Sequence, residues 1–262
     1  MQGTGKPWLL WIAVVWIALW GLTPEVFAQG DLLACRTDIP IVIDGHLSDL
    51  PWQLAENLVI DDTTPATWLE QGTFTVDGPR PKGPGDAALR MKALWNEDYL
   101  YIALDVIDDS VVTDQIVGSL REQDSVEIVI DPSGTGAERR ALIFALETAA
   151  GNGPWFSIPG ARIGAVLKLG GAVGQIRPLG YTAEIAIPLA AFAKAYNSSI
   201  APGQAFGLEV RLNDVDYVPD PGGEGVIRQV RRMTWTGNPM VMEWGTTPQY
   251  GTLHIVPSLV GR

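Results

Sequence analysis

The stretch Ala88–Val106, ALRMKALWNEDYLYIALDV, decides the fold. It consists of two β-rich runs, Ala88 to Trp95 and Tyr99 to Val106, joined by the short polar turn Asn96-Glu97-Asp98, which is the pattern of a hairpin. In the second run Leu100, Ile102, Leu104 and Val106 share one face, and Tyr99, Tyr101, Ala103 and Asp105 share the other. A period of two puts one face against a core. The sign returns in Ser125 to Ile130, where Val126, Ile128 and Ile130 oppose Ser125, Glu127 and Val129, until Asp131-Pro132-Ser133-Gly134 ends the run as a turn. Further strands are expected at 141–147, 163–169, 181–187, 206–212, 228–234 and 252–256. Helical signal is sparse. Pro188 opens Leu189 to Tyr196, a run suited to a short helix with Pro at its first turn, and Asp49 to Glu56 offers another turn or two. Loops rich in Gly and Pro occupy 73–86, 149–160 and 219–225. No shift in composition divides Cys35 from Val256. The expectation is one all-β domain over residues 35–256, a two-sheet antiparallel β-sandwich of jelly-roll type with one or two short helices.

Composition narrows the function. The chain of 262 residues carries 30 Asp and Glu against 18 Lys and Arg, a net charge of −12. That balance excludes a nucleic-acid partner, which needs a basic face for phosphates, and docking on an anionic membrane surface. One Cys excludes a disulfide framework and a Cys-rich zinc site, and two His leave little room for a multi-His centre. Four of the ten Trp lie in the first twenty residues. They belong to the uncharged run Trp8 to Leu22, which follows Lys6 and is short of the ~20 residues of a spanning helix. The segment 1–28 reads as a secretory signal cut after Ala28. Its alternative is an uncleaved anchor. Lys6 and Glu25 cancel, so the exported chain keeps the acidity. The expected location is secreted, periplasmic or otherwise in the cell envelope. Leu32-Leu33-Ala34-Cys35 looks like a lipoprotein box, with a free Cys in an early strand as the plainer reading. Membrane attachment is expected only if the signal stays or Cys35 is lipidated.

The sequence contains no Gly-x-Ser-x-Gly elbow, no phosphate-cradling Lys loop and no His-Glu-x-x-His helix. Acidic clusters occur at Asp61-Asp62, at Asp108-Asp109 with Asp114, and at Asn213-Asp214 with Asp216 and Asp220. Oxygen-rich loops suit calcium in an exported protein, although none has EF-hand spacing. A haem would need His46, His254 or a Met as axial ligand. Of the six remaining Trp, Trp52 and Trp95 sit in regularly patterned apolar stretches and read as core. Trp244 lies in the irregular segment 240–250 beside Pro239, Gly245 and Pro248, where ligand binding and core packing both stand.

An ordered series of motifs resembles the family 9 carbohydrate-binding modules. The series runs Ile43-Asp44-Gly45-His46-Leu47-Ser48-Asp49 with Trp52, then Leu94 to Tyr101 followed by Asp108-Asp109. Next come Glu122-Gln123-Asp124-Ser125-Val126-Glu127-Ile128 with Ile130-Asp131, then Gly180 to Pro188. Gly207 to Asp214, Trp235, Trp244 and Tyr250-Gly251-Thr252-Leu253 complete it. The resemblance implies a non-catalytic β-sandwich that binds sugar or polysaccharide ends, often with structural calcium, as an accessory to polysaccharide catabolism. It places Trp244 as one ring of a sugar clamp, Glu127 as a hydroxyl-binding acid and Trp235 nearby. Arg121 stands where the second ring belongs, either stacking on sugar or pairing with Glu122. The family's sugar-contacting Arg falls near Ala145. Asp108, Asp109 and Asp131 are the candidate Ca²⁺ ligands. Two other readings remain: an interaction domain that has lost its sugar site, and a haem-binding electron-transfer domain of the related DOMON type.

Overall fold

The computed structural model describes residues 31–63, 66–70, 73–76, 81–113, 120, 123–134, 140–146, 158, 160–170, 177–196, 201–219, 222–223, 225–236 and 250–257. The expected leader at 1–28, Arg121 and Trp244 lie outside them. The elements are β1 (Asp31–Arg36), α1 (Leu50–Leu54), β2 (Leu58–Ile60), β3 (Ala66–Glu70), β4 (Thr73–Val76), β5 (Ala87–Trp95), β6 (Tyr99–Asp108), β7 (Ser125–Asp131), β8 (Arg140–Ala145), β9 (Arg162–Gly170), β10 (Arg177–Pro188), α2 (Leu189–Tyr196), β11 (Ala205–Pro219), β12 (Val226–Thr234) and β13 (Gly251–Val256). The class is all-β with two short helices, as the sequence predicts.

The hairpin of β5 and β6 pairs antiparallel from Trp95 with Leu100 to Ala87 with Asp108. Its turn is held by Asn96, whose Oδ1 accepts from Asp98 N at 2.9 Å and Tyr99 N at 2.8 Å. Such an Asx turn replaces the backbone bonds that a tight reversal gives up. The strands run as one curled hydrogen-bonded sheet in the order β4-β3-β12-β11-β13-β1-β5-β6-β10-β9, with β2 on β5 and the β7–β8 pair on β11. Its inner face encloses the main core: Leu100, Ile102, Leu104 and Val106 meet Val126, Ile128, Ile130, Leu208, Val210 and Leu212 there. A wholly antiparallel arrangement was expected, but β1 pairs parallel with both β13 and β5. No tight turn joins β1 to either partner, since long stretches of chain lie between them, so nothing forces them antiparallel.

Part of the outer face of the hairpin is also buried. Tyr101, Ala103 and Leu94 form a second cluster with Cys35, Trp52 and Ala55. The segment before α1 covers them because Glu184 of β10 fastens it down. One Glu184 oxygen accepts from Asp44 N at 3.0 Å and Gly45 N at 2.9 Å, and the other from Trp52 Nε1 at 2.7 Å. Gly45 is obligatory here: its φ is +87°, and a Cβ would stand 2.5 Å from the Ala165 backbone. Trp52 and Trp95 are core residues, as predicted. Replacing Glu184 with Ala leaves three donors unsatisfied, and the expected loss is about 2–4 kcal/mol. Urea denaturation should show a lower midpoint at unchanged slope.

Candidate functional site

The alternation that fills the core leaves a second, polar row on the other face of β7 and β11. In β11 Phe206, Leu208, Val210 and Leu212 face the core, so Gly207, Glu209, Arg211 and Asn213 face away. Register sets Arg211 opposite Glu127 and Asn213 opposite Ser125. Glu127 Oε1 accepts from Asn213 Nδ2 at 3.0 Å and Arg211 Nη1 at 3.3 Å, and Asn213 also donates to Ser125 Oγ at 2.9 Å. All four side chains are buried. Thr234 and Arg232 of β12 extend the row beside Arg211 and Asn213. Glu209 accepts from Thr236 N at 3.1 Å and from the Thr236 hydroxyl. Burial pushes its carboxyl up to about 7, against the hydrogen bonds from Thr236.

A carboxylate and a guanidinium side by side can take both a hydroxyl donor and a hydroxyl acceptor. The structure thus places Glu127 where it meets an Arg, though not the one expected. Ala145, near which that Arg was sought, is buried opposite Ser125 on β8. The guanidinium comes from Arg211 on the other neighbouring strand. The signal for Arg211 and Asn213 was present in the alternation of 206–213. Trp235 is not brought to Glu127: it packs against the main core, on the opposite face, and its backbone N–H donates to Val210 O at 2.9 Å.

A second polar assembly stands where the inner, apolar rows run out at one end of the core. Val106 is followed on its face by Asp108, Val126 is preceded by Asp124, and Leu212 is followed by Asp214 and Asp216. Among the described residues, Asp108, Asp124 and Asp214 form one group whose oxygens lie within 4.8 Å of one another, and Asp86, Asp109 and Asp216 form another. Asp131 joins neither. It lies at the far end of β7, roughly 23 Å of strand from Asp124, and its Oδ1 accepts from Ser133 N at 3.0 Å and Ser133 Oγ at 2.7 Å. So Asp108 and Asp109 belong to different groups, and the sequence reading missed Asp86 and Asp124 as their companions. Hairpin register pairs Ala87 with Asp108 and so puts Asp86 beside Asp109. That much was countable once the turn was fixed.

The first group is short of donors. Asp124 accepts from Val215 N at 2.6 Å and from Val112 N, and Asp108 from Ser110 N at 2.7 Å. Asp214 Oδ1, Gln123 Oε1 and the wholly buried Tyr181 hydroxyl have no hydrogen-bond partner among the described residues, and Asp214 Oδ2 has only an ion pair with Arg231. Burial, reinforced by neighbouring aspartates, pushes Asp108 up to about 6. Burial pushes Asp214 up to about 8 against the pull of Arg231, and carries Asp124 well above the usual range. Tyr181 is raised by burial and by the charges of Asp124 and Asp108. An all-oxygen set with uncompensated charge suits a hard cation such as Ca²⁺. His46 stands in an exposed turn, and His254 Nε2 lies 3.6 Å from Asp31.

The comparisons with known proteins agree with this architecture. The carbohydrate family 9 binding domain-like family matches residues 43–257. A carbohydrate binding module family 9 from Caldicellulosiruptor kristjanssonii, solved with cellotriose, is 18% identical with a TM-score of 0.54, over 87% of this chain and 94% of that one. The same organism's module solved with glucose is 17% identical with a TM-score of 0.48, over 88% and 98%. A putative carbohydrate-binding protein from Bacteroides uniformis is 14% identical with a TM-score of 0.45, over 87% and 100%. No curated protein matches the chain. The matched family is one of non-catalytic carbohydrate-binding modules. With most of its length matched, the chain belongs to the carbohydrate family 9 binding domain-like family.

Proposed function

We propose that the chain is an exported carbohydrate-binding module, a sandwich-like unit over residues 35–256 behind a cleaved leader at 1–28. It takes a sugar or polysaccharide end against the outer face of β7 and β11, as an accessory to polysaccharide breakdown. The observation that carries this reading is the polar row Ser125, Glu127, Arg211 and Asn213, set opposite an apolar core face in a chain of this family. Glu127 and Arg211 address the hydroxyls, and Trp244 as the stacking ring and Arg121 as a further sugar contact, both outside the described residues, complete the reading. Trp235 supports the row from the core side. Titration with glucose, cello-oligosaccharides and a wider glycan panel should quench Trp fluorescence saturably. Trp244→Ala should abolish the quench. A panel without any response overturns the reading.

One observation favours a second reading, an interaction domain without a sugar site: Glu127 is buried and its Oε1 already takes two donors. The same panel separates the two.

For the metal, Asp108, Asp124 and Asp214 would hold one structural Ca²⁺, with Gln123 and Tyr181 as the neighbouring polar groups. The ion supplies positive charge at the end of the core and so joins β6, β7 and β11. Export is tested by the mass of the mature chain, which should begin at Gln29. An added diacyl mass on Cys35 would instead mark membrane attachment.

A further inference from the structure

The second acidic group already contains a cation. Arg231 of β12 sends its guanidinium among three buried aspartates: Nη1 lies 2.5 Å from Asp86 Oδ2, Nε lies 2.8 Å from Asp214 Oδ2, and Nη2 pairs with Asp216. Arg231 is itself only 3% exposed. A planar guanidinium presents its N–H groups in fixed directions: here Nη1 and Nη2 hydrogen-bond Asp86 and Asp216, and Nε is an ion-pair neighbour of Asp214. Ca²⁺ needs six to eight oxygens at about 2.3–2.6 Å. Oxygens engaged by the guanidinium cannot close on an ion at that distance.

We propose that Arg231 is a built-in cation that replaces a metal in the group of Asp86, Asp109 and Asp216, so that the two acidic groups together take one divalent ion and not two. This rests on the calcium assignment to Asp108, Asp124 and Asp214. Asp214, a member of the first group, links the two: its Oδ2 faces the Arg231 that Asp86 and Asp216 hold. The buried Tyr181 hydroxyl, without a hydrogen-bond partner among the described residues, stands on the side of the first group, near Asp124 and Asp108. Arg231 therefore does more than neutralise charge. It fixes Asp214 against β12 through Oδ2 and leaves Oδ1 of that residue to the ion.

The test is a count of bound Ca²⁺ and of Tb³⁺ by equilibrium dialysis and sensitised luminescence on the full mature chain, compared between variants so that sites elsewhere cancel. Asp124→Asn should lose one ion per chain, and Asp109→Asn should lose none. Arg231→Gln should gain one. Arg231→Lys is a second variant in which the charge remains, and its count should match the unaltered chain. If Asp109→Asn loses an ion, or Arg231→Gln gains none while remaining folded by circular dichroism, the built-in cation is refuted and the calcium assignment stands. Should Asp124→Asn lose no ion, the calcium assignment itself fails.

Discussion

Replacing Arg211 with Ala should cost about 3–5 kcal/mol of stability, because Glu127 is then left as a buried carboxylate without its guanidinium. For a domain of this size that is a fall in Tm of roughly 10 °C or more. Sugar binding should vanish as well. The informative companion is the double variant Glu127→Leu with Arg211→Met. Replacing a buried ion pair by apolar groups of similar volume is often neutral or stabilising. The double variant should therefore recover most of the lost Tm and recover no binding. Stability and recognition then separate at one pair of residues, which a purely structural role for the row does not allow. Scanning calorimetry and sugar titration on the unaltered chain and the two variants measure both.

The second large effect is in pH. In metal-free protein Asp108, Glu209 and Asp214 titrate near 6, 7 and 8, above their ordinary values of 3.8, 4.5 and 3.8. A carboxyl with a raised folded-state pKa binds its proton more tightly in the folded chain than in the unfolded one. Between the two pKa values the folded state holds more protons, so stability falls as pH rises. The metal-free chain should thus lose several kcal/mol between about pH 4 and pH 8 and be most stable on the acid side. Added Ca²⁺ should reverse much of the loss at pH 8 and do little at pH 4.5, where the carboxyls are protonated. Glu209→Gln should flatten the middle of the profile without altering the calcium response. Thermal denaturation in chelator and in millimolar Ca²⁺ across this range supplies the check. A profile that rises from pH 4 to 8 in chelator contradicts it.

How far the sequence goes is clear from individual elements. The runs with clean alternation, 99–106, 125–130 and 206–212, lie inside β6, β7 and β11, and Pro188 marks the start of α2. The strand β1 gave a weaker sign, since Leu32-Leu33-Ala34-Cys35 is buried throughout and shows no alternation. The extension of β11 from Asn213 to Pro219 carries acids where apolar residues would have signalled a strand. Its inward positions serve the acidic end of the core and not the core itself. The single curled sheet depends on where β1 and β13 pair, a contact between chain ends that no local pattern records. At the site, Glu127 was legible from its motif. Arg211, Asn213, Asp86 and Asp124 depended on register, because each acquires its role only from the residue set beside it on another strand.

The most direct measurement is isothermal titration of the mature chain with a series of cello-oligosaccharides, alongside the Glu127→Leu, Arg211→Met double variant. The account predicts a saturable one-to-one response for at least one sugar of the series or of the wider glycan panel, absent in the folded double variant. Binding that persists unchanged in that variant, or no binding of any glycan by the unaltered chain, would contradict it.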